Sequence, residues 1–421
     1  MSNSRSFKHL VATQFLTVFN DNLFKQSVLL IAIGLAATFP EMQSWAQALF
    51  SAPFFIFAVF AGDLADRYSK RKLIIICKYV EAAIMLLAAL SFYLQSTTAL
   101  LITVALMGTQ SAFLGPAKYG AIRDYRGGQH LTHANGIFQT SVLFGILLGT
   151  GCAGHLADHY LWLLGVLMAA MAIGGAKMAS GMGLVAAHSE FSSKPLRINP
   201  IAKLIDGLRF AKQYRGLCSA MIGHAAFWLC GSWILLAWNE FLIPDAEGVS
   251  VVEMSKGMWS VGLASLSVFM GLGAYICGRS IKYEINKRVP LWGGAGIAVG
   301  LCCCGIFGHS PLSIWLSLSL ASFASGFYLI PLRSLVQFIS PPYALGSMLG
   351  LNQMLDFGFI LITALIRPWL LNINVDANGL LLIASVVMSC ACVMLKVSLP
   401  PTTRLVGTKV STIPSTTTAP S

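Results

Sequence analysis

A short charged segment between two long apolar runs constrains this chain more than any other feature. Residues 62–73 (Gly-Asp-Leu-Ala-Asp-Arg-Tyr-Ser-Lys-Arg-Lys-Leu) contain two acidic and four basic side chains. The flanking residues, 49–61 and 74–94, carry only two charges, Lys78 and Glu81. A helix rises about 1.5 Å per residue, so about 20 apolar residues cross a bilayer. The segment is therefore predicted to be a tight turn between two membrane-spanning helices.

The composition also indicates a membrane protein. The chain is 56% hydrophobic and only 10% charged, whereas a soluble protein carries about a quarter charged residues. The net charge is +12, but the bases lie in short loops beside apolar runs. A nucleic-acid-binding protein would instead carry a basic stripe with stacking aromatic side chains, so no nucleic acid partner is expected. The 10 cysteines form no C-x-x-C pair, and neither a metal site nor a disulfide framework is indicated.

Repeated apolar runs predict an all-α polytopic membrane protein with twelve transmembrane helices. The first run is too long for a signal peptide, so we expect it to be retained. The helices are expected near residues 9–36, 46–62, 73–94, 99–117, 132–156, 161–187, 216–243, 255–278, 289–308, 312–332, 346–370 and 378–399.

The two halves of the chain carry related markers. Gly-Pro-Ala-Lys at 115–118 corresponds to Ile-Pro-Leu-Arg at 330–333, and Gly62 corresponds to Gly278, at nearly the same offset. This spacing predicts a duplication into two pseudo-symmetric six-helix bundles with a substrate between them. The expected units are an N-terminal bundle (1–190), a cytoplasmic linker with an amphipathic helix (191–215), a C-terminal bundle (216–399) and a disordered cytoplasmic tail (400–421).

The distribution of bases predicts the orientation. Most of the 28 lysines and arginines fall in the loops on one side of the twelve predicted spans. An excess of Lys and Arg marks the cytoplasmic face of a membrane protein. Both termini are therefore expected in the cytoplasm, as an even number of spans requires.

Ionisable side chains inside the spans are candidates for function, because each one is costly in hydrocarbon. Helix 1 carries Asp21, Asn22 and Lys25. Asp21 and Lys25 are four residues apart, on one face of the helix, and are able to neutralise each other. Two interpretations remain open: a structural ion pair with amide contacts between helices, or a headgroup or proton site facing a central cavity.

Two cations occupy equivalent positions in the halves. Lys118 and Arg333 follow the proline motifs and are expected where helices 4 and 10 meet the cytoplasm. They would either form a two-sided cationic mouth for a phosphate or another anion, or extend to water without binding substrate. Asp356 lies well inside helix 11 and is a further candidate for substrate binding.

Other polar residues and motifs favour structural roles. Lys78 and Glu81 are three residues apart and are expected to satisfy each other, and His224 is interpreted as a hydrogen-bonded packing residue. The sequence contains no ATP-binding loop and no H-E-x-x-H zinc motif. We therefore expect neither enzymatic activity nor a cofactor.

The segment at 62–73 resembles the loop signature of the major facilitator superfamily, G-x-L-A-D-R-x-G-R-K, with Ser69 where the family usually has glycine. This resemblance implies alternating access between two bundles. It also implies a conformational latch, in which Asp66 contacts the inner ends of helices 4 and 11 when the outer face is open. The latch residues would be Gly62, Asp66, Arg67 and Arg71, with the two arginines adding bridges in that state.

Three further stretches, 14–22, 115–120 and 134–136, resemble the bacterial lysophospholipid transporter group. The same pattern occurs in the transporter part of fused acyl-acyl-carrier-protein synthetase/acyltransferase proteins, whose enzymes this chain is expected to lack. The resemblance implicates Asp21 and Lys118 in transport and implies a cytoplasmic acyltransferase that acts on the delivered lipid. Residues 227–233 depart from the group, because they are apolar and aromatic where it has a cation.

These observations lead to one expected function and two alternatives. The expected function is a secondary active or facilitative transporter of the bacterial inner membrane that moves lysophospholipids, in contact with the surrounding membrane lipids. The first alternative is transport of a siderophore, a drug-like compound or another small anionic solute. The second alternative is a polytopic membrane enzyme or receptor.

Overall fold

A computed structural model describes residues 3–34, 42–159, 161–183, 199–241, 256–281 and 284–404. Within these ranges it contains thirteen α-helices and one two-stranded antiparallel ladder. The helices are α1 (Asn3–Gly34), α2 (Met42–Arg67), α3 (Lys70–Tyr93), α4 (Thr97–Arg126), α5 (Leu131–His159), α6 (Leu161–Ser180), α7 (Pro200–Lys212), α8 (Leu217–Glu240), α9 (Lys256–Ser280), α10 (Arg288–Phe307), α11 (Pro311–Ile339), α12 (Leu345–Asn372) and α13 (Ala377–Ser398). The strands are β1 (Glu284–Asn286) and β2 (Thr402–Arg404).

Eleven of the described helices are long and apolar enough to cross a membrane. The first helix, α1, is not among them, but it is 32 residues long and packs against α5 and α6. Several of its polar side chains, among them Thr17, Asn20 and Ser27, are buried inside the protein, so α1 is not a surface helix. With α1 included, the described residues form the twelve long helices that the apolar runs predict, and the all-α polytopic fold is confirmed.

The long helices form two bundles that meet along two seams. In the first bundle α1 packs on α5 and α6, α2 on α4, and α3 on α4 and α6. In the second, α10 packs on α11 and α13, α8 on α13, and α9 on α11. The seams between the bundles are formed by α2 with α12 and by α5 with α9.

Glycines allow close backbone contact in both seams. A Cβ atom at Gly62 of α2 would overlap the backbone of Gly346 in α12. In the other seam, a Cβ at Gly136 of α5 would lie 3.0 Å from the Cα of Gly278 in α9. Small residues let helices approach closely in lipid, where packing rather than the hydrophobic effect drives association. These contacts join the bundles at one end of the protein. We call it the basic end, and it carries the α2–α3, α4–α5 and α9–α10 connections.

Two helices extend beyond the ends that the sequence predicts. We expected helices 4 and 10 to end near residues 117 and 332, but α4 continues to Arg126 and α11 to Ile339. Pro116 and Pro331 lie inside these helices rather than ending them. Membrane helices tolerate internal prolines because neighbouring helices and side chains satisfy the freed backbone groups. As a result, Lys118 and Arg333 lie inside the helices and not at their ends.

The predicted linker and tail contain ordered structure. The amphipathic stretch forms α7, whose N-terminus is capped by the side chain of Asn199. Beyond residue 400, where we expected a disordered tail, β2 pairs with β1, placing Thr403 opposite the buried Ile285. Threonine favours strands because its branched side chain suits a pleated surface. The bundle boundaries at 190 and 216 stay a prediction, since residues 184–198 and 405–421 lie outside the described ranges.

Candidate functional site

Three of the predicted substrate residues form a charged cluster within the N-terminal bundle. Asp21 lies near the middle of α1 and is partly buried, and no described residue donates a hydrogen bond to its Oδ1. The charged groups that act electrostatically on it are Glu81 and Lys78 of α3, Lys25 on the same helix and Lys118 on α4. The cluster thus combines one incompletely satisfied carboxylate with cations from several helices.

The ion pair between Lys25 and Asp21, one of the two interpretations that the sequence left open, is not formed in the described structure. The Lys25 Nζ lies 3.7 Å from the centroid of the Phe50 ring on α2. A cation–π contact of this kind offers an ammonium group an alternative to a carboxylate inside the membrane. Lys118 also lacks a direct carboxylate partner among the described residues, and its Nζ lies 5.6 Å from the ring centroid of Tyr119. Both ammonium groups are therefore available to an anionic ligand.

The predicted Asn22 is held by its own helix. Its Nδ2 donates a hydrogen bond of 2.7 Å to the Val18 carbonyl. A Cβ atom at Gly149 of α5 would lie 2.4 Å from the Phe19 carbonyl oxygen and 3.2 Å from the Asn22 Cβ, so this glycine lets α5 pack closely on α1 at this level. The role of Asn22 in binding substrate stays a prediction.

Lys78 and Glu81 form a buried ion pair beside this cluster. The Lys78 Nζ lies 2.6 Å and 2.7 Å from the two Glu81 carboxylate oxygens, and both side chains are fully buried. Asn20 of α1 donates to the same carboxylate at 2.8 Å, and the Lys78 ammonium also donates to the Thr17 hydroxyl at 3.2 Å. A buried pair of opposite charges needs such additional hydrogen bonds to offset its desolvation. These contacts join α1 to α3 and occupy both charges.

A second polar cluster lies in the C-terminal bundle. Asp356 of α12 receives a hydrogen bond of 2.9 Å from Asn352 and lies 2.8 Å from the Nδ1 of His224 on α8. Arg333 of α11 approaches the same carboxylate at 3.9 Å. All four side chains are buried. The sequence indicated a hydrogen-bonded His224 but did not identify Asp356 as its partner.

Tyr119 connects the two clusters. The Cζ of Arg333 lies 4.2 Å from the centroid of its ring, and Lys118 lies against the same ring from the N-terminal bundle. The Nε2 of Gln337 donates to the Tyr119 carbonyl at 2.9 Å. The two cations that the sequence places in equivalent helices therefore meet at one aromatic side chain between the bundles. Tyr119 itself was missed in the sequence, although it directly follows Lys118.

Asp66 closes the α2–α12 seam at the basic end. Its Oδ1 accepts a hydrogen bond of 2.5 Å from the Gly346 backbone N–H. Its Oδ2 accepts hydrogen bonds from the Ser347 backbone N–H at 2.7 Å and from the Ser347 hydroxyl at 2.8 Å. These donors belong to the first turn of α12, where free N–H groups and the helix dipole favour a negative charge. Gly62, one turn earlier on α2, permits the close approach of the helices.

The predicted latch arginines differ in their contacts. Arg71 donates a 2.5 Å hydrogen bond to the carbonyl of Ser180 at the end of α6. This contact stays within the N-terminal bundle, and the latch role of Arg71 stays a prediction. The contact follows from the place of Arg71 on α3: the preceding Lys70 points inward to Asp124 at 2.9 Å and Arg71 points to the neighbouring helix. Arg67 is the last residue of α2, and its latch role stays a prediction.

Other residues that we did not single out also hold the basic end. Asp63 lies 2.7 Å from the Ser347 hydroxyl, whose single proton it shares with Asp66, and forms an ion pair with Lys203 of α7. The Nη1 of Arg123 donates at 2.6 Å to the carbonyls of Gln337 and Ser340 at the end of α11. Lys203 is buried, whereas the other bases of α7, Arg209 and Lys212, are exposed, a difference that the sequence alone does not show. Its partner lies 140 residues away in sequence and has no local signal.

The fold and these contacts can be compared with known proteins. The family model of the Major Facilitator Superfamily matches residues 10–364. The chain belongs to the major facilitator superfamily. Two relatives named Lysophospholipid transporter LplT, from Shigella boydii serotype 4 (strain Sb227) and Escherichia coli O157:H7, are each 28% identical to it over 342 residues. The match covers 79% of this chain and 80% of each relative.

Solved structures of the superfamily share the fold. The human organic anion transporter MFSD10 (TETRAN) superposes with a TM-score of 0.74 at 13% identity, covering 94% of this chain and 100% of that chain. A variant of the E. coli Fucose:proton symporter FucP gives a TM-score of 0.73 at 16% identity, covering 95% of this chain and 100% of that chain. These likenesses concern the fold. The protein is a multi-pass membrane transporter of this superfamily.

Proposed function

We infer that this protein moves lysophospholipids across a bacterial inner membrane by alternating access. The observation that carries the proposal is the cluster of Asp21, Lys25 and Lys118 within a bundle of a superfamily transporter. Two ammonium groups without a direct carboxylate partner suit a phosphate, and a carboxylate oxygen without a donor suits the amine of a zwitterionic headgroup. The relatives named Lysophospholipid transporter LplT support the same substrate class.

The C-terminal bundle would supply a second contact to the headgroup. Arg333 approaches Asp356 only at 3.9 Å, beyond ordinary hydrogen-bond distance. A phosphate near Tyr119 would offer the guanidinium a bidentate partner in place of this distant carboxylate. Because Arg333 and Lys118 come from different bundles, one phosphate bound by both would respond to the relative movement of the bundles.

The contacts at the basic end would act as the conformational latch. By the distribution of bases, this end faces the cytoplasm, and both termini lie there. The bonds from Asp66 to the first turn of α12 hold it closed, and their loss would open the path on that side. A transporter needs such differential bonding between two conformers. We propose that transport runs toward the cytoplasmic leaflet, where an acyltransferase would restore the missing acyl chain of the delivered lipid.

A second candidate substrate is a small anionic solute, such as a siderophore. It is favoured by the sequence of α8. Residues 227–233 of this chain are apolar and aromatic, whereas the lysophospholipid transporters have a cation in this helix. An anion without an acyl chain would use the same cations, Lys25, Lys118 and Arg333. Membership of the superfamily favours either transporter over a polytopic enzyme or receptor.

The proposal is tested in vesicles reconstituted with purified protein. The measurement follows the movement of fluorescent lysophosphatidylethanolamine between leaflets for the wild type, Asp21→Ala and Lys118→Ala. Lys72→Ala is the matched control, because Lys72 is exposed near the basic end and lines neither cluster. We expect movement by the wild type and the control, and its loss in both cluster variants. Absence of wild-type movement, or full movement in both cluster variants, would contradict the proposal.

A further inference from the structure

A groove of about 600 Å³ lies on the N-terminal bundle between α1 and α5, away from both polar clusters. We call it the α1–α5 groove. Its apolar walls are formed by Phe7, Val11 and Phe15 of α1 and by Ile137 and Phe144 of α5. Phe144 is 57% exposed, so the groove opens toward the surroundings of the bundle. The nine residues of α1 from Phe7 to Phe15 give the groove a length of about 12 Å.

The end of the groove at the basic end carries two cations. Lys8, at the start of α1, is exposed, and Arg126 is the last residue of α4. The guanidinium of Arg126 lies 4.9 Å from the centroid of the Phe7 ring, and its Nε donates no hydrogen bond to any described residue. Among the described residues, no aspartate or glutamate lines the groove. An apolar channel therefore ends in two cations that no acid of the lining neutralises.

We propose that the α1–α5 groove binds an anionic phospholipid from the leaflet at the basic end. The phosphate lies between Lys8 and Arg126, and one acyl chain lies along the apolar walls. Arginine is the side chain best suited to a phosphate, because its planar guanidinium donates two parallel hydrogen bonds. Basic pockets between transmembrane helices at the cytoplasmic side bind anionic headgroups for this reason. This lipid is distinct from the transported substrate, and the proposal holds whatever that substrate is.

The position of the groove gives the bound lipid a structural effect. Its two cations come from α1 and α4, so one phosphate would join the start of α1 to the end of α4. Arg126 also lies one turn after Arg123, which donates to the carbonyls of Gln337 and Ser340 across the bundles. The lipid would thus stabilise the helix end that makes this contact, and its binding should raise the thermal stability of the purified protein.

The test compares thermal unfolding of the detergent-purified protein with added phosphatidylglycerol and with added phosphatidylethanolamine. The variants are Lys8→Gln/Arg126→Gln, which removes both cations, and Ser141→Trp, which fills the groove and keeps them. The control is Lys72→Gln/Lys212→Gln, which removes two exposed bases outside the groove. Mass spectrometry of the intact protein counts the phosphatidylglycerol molecules retained.

We expect phosphatidylglycerol to raise the unfolding temperature of the wild type and the control by several degrees, with one lipid retained per chain. The rise and the retained lipid should be lost in both groove variants. Three outcomes would overturn the proposal: an equal rise in the groove variants, an equal loss in the control, or an equal effect of phosphatidylethanolamine. If the double variant does not fold, Ser141→Trp alone decides between these outcomes.

Discussion

The Asp66 carboxylate accepts hydrogen bonds from both the backbone N–H and the hydroxyl of Ser347, at 2.7 Å and 2.8 Å. A single acid of the N-terminal bundle thereby caps the first helical turn of α12 in the C-terminal bundle. The side chain is 3% exposed, so water does not readily replace these donors. The Asp66 carboxylate is therefore one of the groups that hold the basic end closed, and replacing it with an amide changes its charge with little change in its shape.

Asp66→Asn is expected to slow transport about tenfold, because the amide loses the charge and one of the two acceptor oxygens. Hydrogen bonds to a charged group contribute about 1.5–3 kcal/mol, enough to shift the balance of two conformers by that factor. The measurement is the initial rate of movement in vesicles, normalised to inserted protein. Ser347→Ala is a milder variant, because it removes the hydroxyl donor and keeps the backbone N–H donor. Wild-type turnover in Asp66→Asn would rule out the latch.

The ion pair between Lys203 and Asp63 is expected to couple α7 to the same seam. Lys203→Ala should reduce the transport rate about threefold, the scale of a partly exposed ion pair. The exchange of charges, Asp63→Lys with Lys203→Asp, should recover part of that loss, because α7 then keeps a partner on α2. Arg209→Ala on the exposed face of α7 is the control. Equal rates for Lys203→Ala and the control would remove α7 from the mechanism.

Lys118 and Arg333 are expected to act on one substrate group near Tyr119. Lys118→Gln and Arg333→Gln should each raise the half-saturating substrate concentration about tenfold, as expected for one charge-assisted hydrogen bond. The double variant should show less than the product of the two effects, because residues that share a partner are not independent. The dependence of the transport rate on lipid concentration measures all three. If the effect of the double variant equals the product of the two single effects, the two cations bind separate groups of the substrate.

Tyr119 offers a separate check on the same contact. Tyr119→Phe keeps the ring under the Arg333 guanidinium and should transport as the wild type does. Tyr119→Leu removes the ring and should weaken binding by about threefold, within the range of one cation–π interaction. Equal behaviour of the two variants in the same concentration series would show that the ring is not part of the binding site.

The buried pair of Lys78 and Glu81 is expected to matter for stability rather than for substrate. Removing one partner, as in Lys78→Met, leaves an uncompensated buried charge and should cost about 3–5 kcal/mol. Replacing both, as in Lys78→Met/Glu81→Leu, should recover most of that loss and keep the transport rate per folded molecule. Thermal unfolding and vesicle transport are measured on the same preparations. A folded but inactive double variant would instead assign the pair to transport.

The sequence predicted the fold well because lipid imposes a simple rule on it. Backbone N–H and C=O groups in hydrocarbon must be hydrogen-bonded within the segment, so each long apolar run is expected to form a membrane-spanning helix. The resemblance to the superfamily loop signature marked Asp66, and the residue spacing marked Gly62 and Gly278, two glycines of the seams. It failed at the internal prolines, Pro116 and Pro331, because the partners that compensate for them come from other helices. Local sequence rules do not contain that information.

The candidate site was less predictable, since its partners are distant in sequence. Asp21 and Lys25 satisfy the local rule for an ion pair, yet the Phe50 ring on α2 takes the ammonium. His224 and Asp356 are 132 residues apart in sequence and meet only because α8 packs on α12. Spacing within one helix shows which face a side chain occupies. It does not show which side chain of another helix is there.

A competition assay in vesicles tests the central claim, lysophospholipid transport, most directly. It measures how strongly unlabelled compounds slow the movement of fluorescent lysophosphatidylethanolamine. Excess unlabelled lysophosphatidylethanolamine, the two-chain lipid phosphatidylethanolamine and the water-soluble headgroup glycerophosphoethanolamine are compared as competitors. The account predicts that the wild type moves the probe and that only the single-chain lipid slows it strongly. Equally strong competition by the soluble headgroup would identify a small anionic solute as the substrate instead. Failure of the wild type to move the probe would contradict lysophospholipid transport.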